Sequence, residues 1–206
     1  MTGNYDNVAP FYDKLSRLVF GKTIINAQKY LLTYIPANSN ILIVGGGTGN
    51  ILEEITHKHA AGLHITYVEI SLNMLTLSRK RDVGDNQVQF IHQPIQEVDL
   101  QPVFDLVITP FLFDNFLPST AEIVFNKVNA ALKPGGCWLF ADFQLNSKST
   151  LHKWLLKSMY FFFRLLCKVE TNRLYDIRPL FKSLYEEVAC KTFFKNFIRS
   201  VVYQKH

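Results

Sequence analysis

Short apolar runs of strand length alternate with stretches of helical periodicity along most of this chain, the pattern of successive βα units in a parallel sheet. Asn40–Val44 (NILIV) is a continuous apolar run ending at a glycine cluster, and Ile51, Leu52 and Ile55 then share one face of a helix. His64–Ile70 (HITYVEI) is a second strand, Ser71–Arg81 a helix opening at a serine cap, and Val88–His92 a third strand. Phe104–Thr109 (FDLVIT) is a fourth, and its unbroken apolar character predicts burial on both sheet faces. Ser119–Leu132 is a helix stopped by Pro-Gly-Gly, and Cys137–Phe143 is the fifth strand. Beyond it, Leu151–Lys168 and Ile177–Glu187 are two helices. Val188–Lys195 and Phe197–Tyr203 are two strands whose short joint at Asn196 predicts an antiparallel hairpin. A tyrosine-rich helical lead-in over 5–35 ends at Pro36. The expected fold is an α/β sandwich: a mostly parallel sheet, a C-terminal antiparallel hairpin, an N-terminal helical arm (1–36) and a helical insertion (148–176) after strand five.

Composition narrows the class. The chain has 206 residues, of which 48% are hydrophobic and 19% charged, so a disordered chain is excluded and one sizeable core is expected, in a single domain over 1–206. Cys137, Cys167 and Cys190 are widely spaced and odd in number, which argues against a disulfide framework, and no metal site is expected. The opening MTGNYDNVAP has neither a basic n-region nor an apolar h-region, so no secretory leader and a cytoplasmic setting are expected. Charge is uneven: residues 148–206 hold 12 Lys/Arg against 4 Asp/Glu, while 1–147 hold 10 against 13. Such a basic, aromatic region suits an anionic surface, or a solvated face over a packed core.

The chemistry centres on Gly45-Gly46-Gly47-Thr48-Gly49-Asn50, where the first strand runs into a helix. A tight turn there points backbone N–H groups and a helix N-terminus at a ligand, and glycines allow close approach. Glu69 follows twenty residues after Gly49, at the end of the second strand, where a carboxylate can accept hydrogen bonds from both ribose hydroxyls of an adenosine group. A dinucleotide fingerprint G-x-G-x-x-G needs a third glycine where Asn50 stands, so that match fails.

The spacing G-x-G-x-G instead resembles the class I S-adenosylmethionine (SAM) methyltransferases. ILIVGGGTG is similar to that family's first motif, VEISLNML to its second, FDLVITPFLFDNF to its fourth-strand segment and LKPGGCWLFAD to its turn before strand five. YDNVAPFYDKL resembles the arm that closes over cofactor and acceptor in many members. The resemblance implies a Rossmann-like seven-stranded sheet of order 3-2-1-4-5-7-6 and SAM as cofactor. It implies a cofactor site of Gly45, Gly46, Gly47, Thr48 and Gly49, with Glu69 on the ribose, Ile70 and Met74 flanking adenine, and Thr109 near the methionine portion. Two positions depart from the pattern. The first-motif acid is Ile43, and the acid usual after strand three is Pro94, with Gln93 or backbone near Ile95 as replacements. The triple glycine also resembles spermidine-synthase-like aminopropyltransferases. Their D-x-x-D-P segment is here Thr109-Pro110-Phe111-Leu112. A non-catalytic SAM-binding or scaffold protein is the remaining alternative.

Methyl transfer needs alignment more than a covalent catalyst, and no nucleophile–base pair stands out. Candidates for a base or an acceptor-orienting group are Tyr12, Asp114 and His152. Arg79-Lys80-Arg81 reads as a solvated helix end. In the insertion, Lys153, Lys157, Arg164 and Lys168 fall within about 60° of one another on a helix, and aromatic and aliphatic residues cover the rest. Its longest uncharged run, Ser158–Phe163, is far short of the roughly 20 residues that span a bilayer. Such a segment can line a pocket as a lid, lie on a membrane surface, or pack on the core or a second subunit. The expected partner is a small, apolar acceptor molecule. Nucleic acid is not expected, because no N-P-P-Y or Pro-Cys motif follows strand four.

Overall fold

The apolar runs become the strands of one sheet. In this computed structural model they are β1 (Asn40–Val44), β2 (Ala61–Glu69), β3 (Asp85–His92), β4 (Phe104–Pro110), β5 (Leu132–Phe143), β6 (Tyr185–Phe193) and β7 (Ile198–Lys205). Their order is β3-β2-β1-β4-β5-β7-β6, as the resemblance implies. The structure describes residues 5–144, 152, 154–157, 171 and 173–206. β1 to β5 pair in parallel, and β7 is antiparallel to both β5 and β6.

Among the described residues the sheet is flanked by α1 (Tyr12–Phe20), α2 (Thr23–Leu31), α3 (Asn50–Thr56), α4 (Leu72–Ser78), α5 (Pro118–Ala131) and the single turn α6 (Arg178–Phe181). They explain why the central strands are apolar throughout. Alternate residues of a strand point to opposite faces, and both faces here are covered. Leu42, Val44 and Val107 pack toward Val124, Phe125 and Phe181 of α5 and α6, while Ile41, Ile43 and Ile108 pack toward α2, α3 and α4. Each such side chain, fully buried, contributes roughly 1.5–3 kcal/mol. Trp138 anchors the first face, stacked on Phe125 at 5.2 Å between ring centres.

Several boundaries differ from expectation. The proposed helix Ile177–Glu187 is only the turn Arg178–Phe181, and Tyr185–Glu187 already belong to β6. Tyr185 is buried against Phe181 and Tyr203, its hydroxyl donates to Asn129 Oδ1 at 2.7 Å, and Glu186 and Glu187 pair with Gln204 and Tyr203. Tertiary pairing has overridden a helical local pattern. β5 starts directly at Leu132 and takes in the Pro-Gly-Gly turn, which bulges outward because Phe104 pairs with Leu132 but Leu106 with Cys137. The lead-in breaks into α1 and α2 at Gly21, whose φ is +58°. Phe194, Lys195 and Asn196, all at positive φ, make the hairpin turn. Of the Leu151–Lys168 helix, His152 and 154–157 are helical; the rest lies outside the described residues. Among the described residues no helix is long and apolar enough to cross a membrane.

Candidate cofactor and acceptor site

The glycine loop leaves β1 at the C-terminal edge of the sheet, the usual ligand crevice of open α/β folds. Two residues from β2 hold it. Tyr67 donates from its hydroxyl to the Gly47 carbonyl at 3.0 Å, and Glu69 Oε2 accepts from the Gly47 N–H at 3.0 Å. The residue at 46 must be glycine, because a Cβ there would lie 2.4 Å from the Tyr67 hydroxyl. Ile43, where the family pattern has an acid, is fully buried in the same core cluster as Tyr67. The loop is therefore fixed from β2, with no polar group from β1.

Gly45 and Gly47 sit at φ +68° and +63° and line a cavity of about 490 Å³. A Cβ at Gly47 would meet nothing, so its α-carbon presents open space to whatever enters. Gly49 behaves differently. It caps α3 at φ +82°, a Cβ would strike Ser78 of α4 at 2.7 Å, and the residue does not line the cavity. Its small size serves helix packing, which corrects the expectation that all three glycines face the ligand.

Glu69 is 6% exposed, and its second oxygen, Oε1, accepts from Ser71 N–H at 2.9 Å. Burial raises its pKa, and the backbone donors of Ser71 and Gly47 oppose that rise, so the group is a desolvated acid held by oriented N–H groups. Ser71 caps α4 by accepting from Met74 N–H at 3.2 Å, and Met74 faces the cavity. Ile70 also lines it, its carbonyl 3.0 Å from His92 Nε2. Gln93, Pro94, Ile95 and Gln96 form the adjoining wall.

The arm is tied to this loop by charge. Thr48 donates to Asp13 Oδ1 at 2.6 Å; Arg81 donates to Asp13 Oδ2 at 2.7 Å, to the Thr48 carbonyl at 2.9 Å and to Glu53 at 3.2 Å. Arg81 is thus a structural clasp, where a solvated helix end was expected. Asp6 extends the α4 cap, accepting from Ser71 Oγ at 2.6 Å and Asn73 N–H at 3.0 Å. Tyr5 donates to Asn115. The arm therefore roofs the cavity, and Tyr12 lines it.

Much of the remaining wall is apolar and aromatic, from Phe20, Ile24, Phe111, Phe143 and Trp154, while Leu112 lies against Gly45 of the loop itself. Phe111 lies at φ +55°, a conformation costing about 1–3 kcal/mol for a bulky residue, with its ring 5.0 Å from that of Phe143. Asp114 also lines the cavity, close enough to Asp142 of β5 to feel its charge. Asp142 Oδ2 accepts from the N–H groups of Phe113 (3.0 Å) and Asp114 (3.2 Å), and Oδ1 from Phe143 N–H (2.7 Å). Burial raises the pKa of both acids, and the charge of Asp142 raises that of Asp114 further.

Of the residues expected at the site, Gly45, Gly46, Gly47, Thr48, Glu69, Ile70, Met74, Gln93, Ile95, Tyr12 and Asp114 line this one cavity. Thr109 does not: it is fully buried and its hydroxyl accepts from the Trp138 indole at 2.9 Å, so the neighbouring wall is Pro110–Leu112. Nor does His152, which is buried against Phe197 at 4.8 Å between rings. Asp13, Phe111 and Asp142 were missed. A lone aspartate inside the apolar run LFADF was the one visible signal for Asp142.

A parallel sheet with a glycine loop after β1 and a buried acid ending β2 defines a nucleoside-cofactor fold of the methyltransferase class. Residues 42–138 match the methyltransferase domain family. The chain is 25% identical over 186 residues to the ubiquinone/menaquinone biosynthesis C-methyltransferase UbiE of Pseudomonas fluorescens, covering 87% of this chain and 72% of the relative. It is 32% identical over 131 residues to the polyamine aminopropyltransferase of Buchnera aphidicola, covering 60% and 42%. The structure of magnesium protoporphyrin IX methyltransferase from Synechocystis, with bound SAH (S-adenosylhomocysteine), superposes with TM-score 0.67 at 14% identity, over 95% of this chain and 88% of that one. The chain spans from 39% to 72% of the length of these and a further curated relative that it matches. Over residues 42–138, just under half of its length, the chain is thus similar to the methyltransferase domain family, and its fold is that of solved methyltransferases.

Proposed function

We propose that the chain, working as one domain over 1–206, transfers a methyl group from SAM to a small, apolar acceptor by direct displacement. The observation that carries this reading is a cavity lined both by the glycine loop with its buried acid and by the aromatic rings of Phe20, Phe111 and Phe143. The residues fit the cofactor: the open α-carbon of Gly47 admits close approach, and Glu69 retains lone pairs for ribose hydroxyls beyond its two backbone donors. When bound, SAM supplies an electrophilic methyl on a sulfonium. Ile70 and Met74 flank its adenine, and Gln93 or the backbone at Ile95 meets the adenine edge. Phe20, Phe111 and Phe143 exclude water and orient a flat acceptor, and such alignment is worth about 7–11 kcal/mol of barrier. The quinone-pathway name of one relative supports a flat, hydrophobic acceptor. Free thiols at Cys137 and Cys190 suit a reducing, cytoplasmic setting.

An aminopropyltransferase is the second reading, favoured by the Buchnera relative. Against it, Thr109-Pro110-Phe111-Leu112 stands where those enzymes carry paired acids. Parallel calorimetry with SAM, SAH and decarboxylated SAM separates the two: SAM and SAH are expected to bind, and preference for decarboxylated SAM overturns the methyltransferase reading. A panel of hydrophobic acceptors with methyl-labelled SAM, and flotation with anionic liposomes, test the apolar acceptor; failure of both removes it.

A further inference from the structure

The outward side of the arm is not that of an ordinary solvated helix. Along α1, Tyr12, Ser16, Val19 and Phe20 line the cavity, while Phe11, Lys14 and Leu18, spaced i, i+3 and i+7, turn away from it together. Leu18 is 83% exposed, and its chain neighbours Arg17 and Val19 both line the cavity. Trp154, in the first turn of the insertion, is 66% exposed and lines the cavity too. Val19 and Trp154 therefore stand at the cavity mouth, with Leu18 beside it. Single exposed apolar side chains are ordinary on a protein surface, but these gather at the rim of an apolar cavity.

The charge around them has one sign. Residues 12–22 hold Lys14, Arg17 and Lys22 against one acid, Asp13, which is turned inward onto Thr48 and Arg81. The three cations are exposed, and among the described residues no carboxyl pairs with them. Lys157, exposed one helical turn from Trp154, is a fourth. Apolar side chains ringed by cations seat shallowly among phospholipid headgroups, the cations meeting anionic lipid. A nucleic acid would use the cations and offer Leu18 nothing. A second copy of the chain would set this cationic rim against an identical one.

Resting on the apolar-acceptor reading above, we propose that this rim is a membrane-docking surface. The outward side of α1 and Trp154 seat on an anionic phospholipid bilayer with the cavity mouth toward the lipid, and the acceptor passes from the bilayer into the cavity without crossing water. The contact is peripheral, because no helix among the described residues is long and apolar enough to span a bilayer. Docking is compatible with the closed arm. Asp13 ties the inward side of α1 to the glycine loop and Arg81, which leaves Leu18, Lys14 and Lys22 free for the headgroups.

The test mixes the full chain with vesicles of phosphatidylcholine, alone or with phosphatidylglycerol, and follows flotation and tryptophan emission. Trp138 is fully buried against Phe125, so a change in emission reports Trp154. Wild type is expected to float with the anionic vesicles and not with the neutral ones. Its emission is expected to shift to the blue and to be quenched by brominated acyl chains, signals that Trp154→Phe loses. Leu18→Glu is expected to weaken partition at least about tenfold, by removing the apolar anchor and adding repulsion. Lys14→Gln with Lys22→Gln is expected to weaken it about 25-fold, at about fivefold per cation. Both variants are expected to bind SAH as wild type does. No flotation with anionic vesicles, unchanged partition in either variant, or flotation without quenching of Trp154 overturns the proposal. So does a wild-type dimer that Leu18→Glu converts to monomer, since a second copy then covers this face. Should a variant misfold, lipid preference and quenching in wild type decide alone. A hydrophobic acceptor methylated in detergent by protein that does not float is a different result, which overturns the docking and leaves the reading beneath it.

Discussion

Gly47 and Gly49 stand two residues apart in one loop, yet different forces require them. At Gly47 the demand is backbone conformation and an open approach; at Gly49 it is conformation plus contact with Ser78 of α4. Gly47→Ala is expected to cost about 1 kcal/mol of stability, the left-handed penalty alone, while weakening SAH binding sharply. Gly49→Ala is expected to cost about 2 kcal/mol or more through the added clash. Urea denaturation beside SAH titration separates the two, and equal stability losses would contradict the assignment. The buried acids give a second residue-scale prediction. Asp114, Asp142 and Glu69 all have raised folded pKa values, so their contribution to stability is fully present below the ordinary carboxylate pKa of about 4 and is lost as pH rises through the folded values. Wild type should therefore melt lower near pH 8 than near pH 5. Asp114→Asn should shrink that difference and stabilise the protein by about 1 kcal/mol near pH 8. A flat wild-type profile over this range would refute the burial argument.

Among the elements, the arm depends most on specific charges. Asp13, Thr48, Arg81 and Glu53 form one network, with the Arg81 side chain only 21% exposed, so it is screened less than a surface pair. Asp13→Ala is expected to lower stability by about 1 kcal/mol and to speed proteolysis within residues 5–20 severalfold. High salt should narrow the gap from wild type, and an unchanged cleavage rate would mean the arm is held by Val8 and Ala9 packing on Met74 instead. The elements also differ in how readily the sequence discloses them. β1 and β4 are apolar throughout because both their faces are covered, so their pattern needs no partner to be read. β6 reads as helix at its start because Tyr185-Glu186-Glu187 acquires its strand character from β7 and from the ring of Tyr203, contacts distant in sequence. Arg81 looked solvated for the same reason: Asp13, its partner, lies 68 residues away.

For the molecule as a whole, the sheet separates the two largest apolar clusters, and a cavity at its C-terminal edge is roofed by the arm. The glycine-loop part of its lining was legible, since the glycine loop, Glu69 and Met74 are local motifs at fixed spacing. The aromatic part was not, because Phe20, Phe111 and Phe143 come from three separate segments that converge only in the fold. Likewise Thr109 sits in the expected segment but turns into the core toward Trp138, which strand parity decides and spacing does not. The central claim is that this edge is a SAM site organised by Glu69. Calorimetric titration of SAH into wild type and Glu69→Gln, with circular dichroism to verify the fold, tests it most directly. The account predicts saturable binding by wild type and affinity at least about tenfold weaker in the variant. Equal affinity in the two proteins, or no binding by wild type, would contradict it.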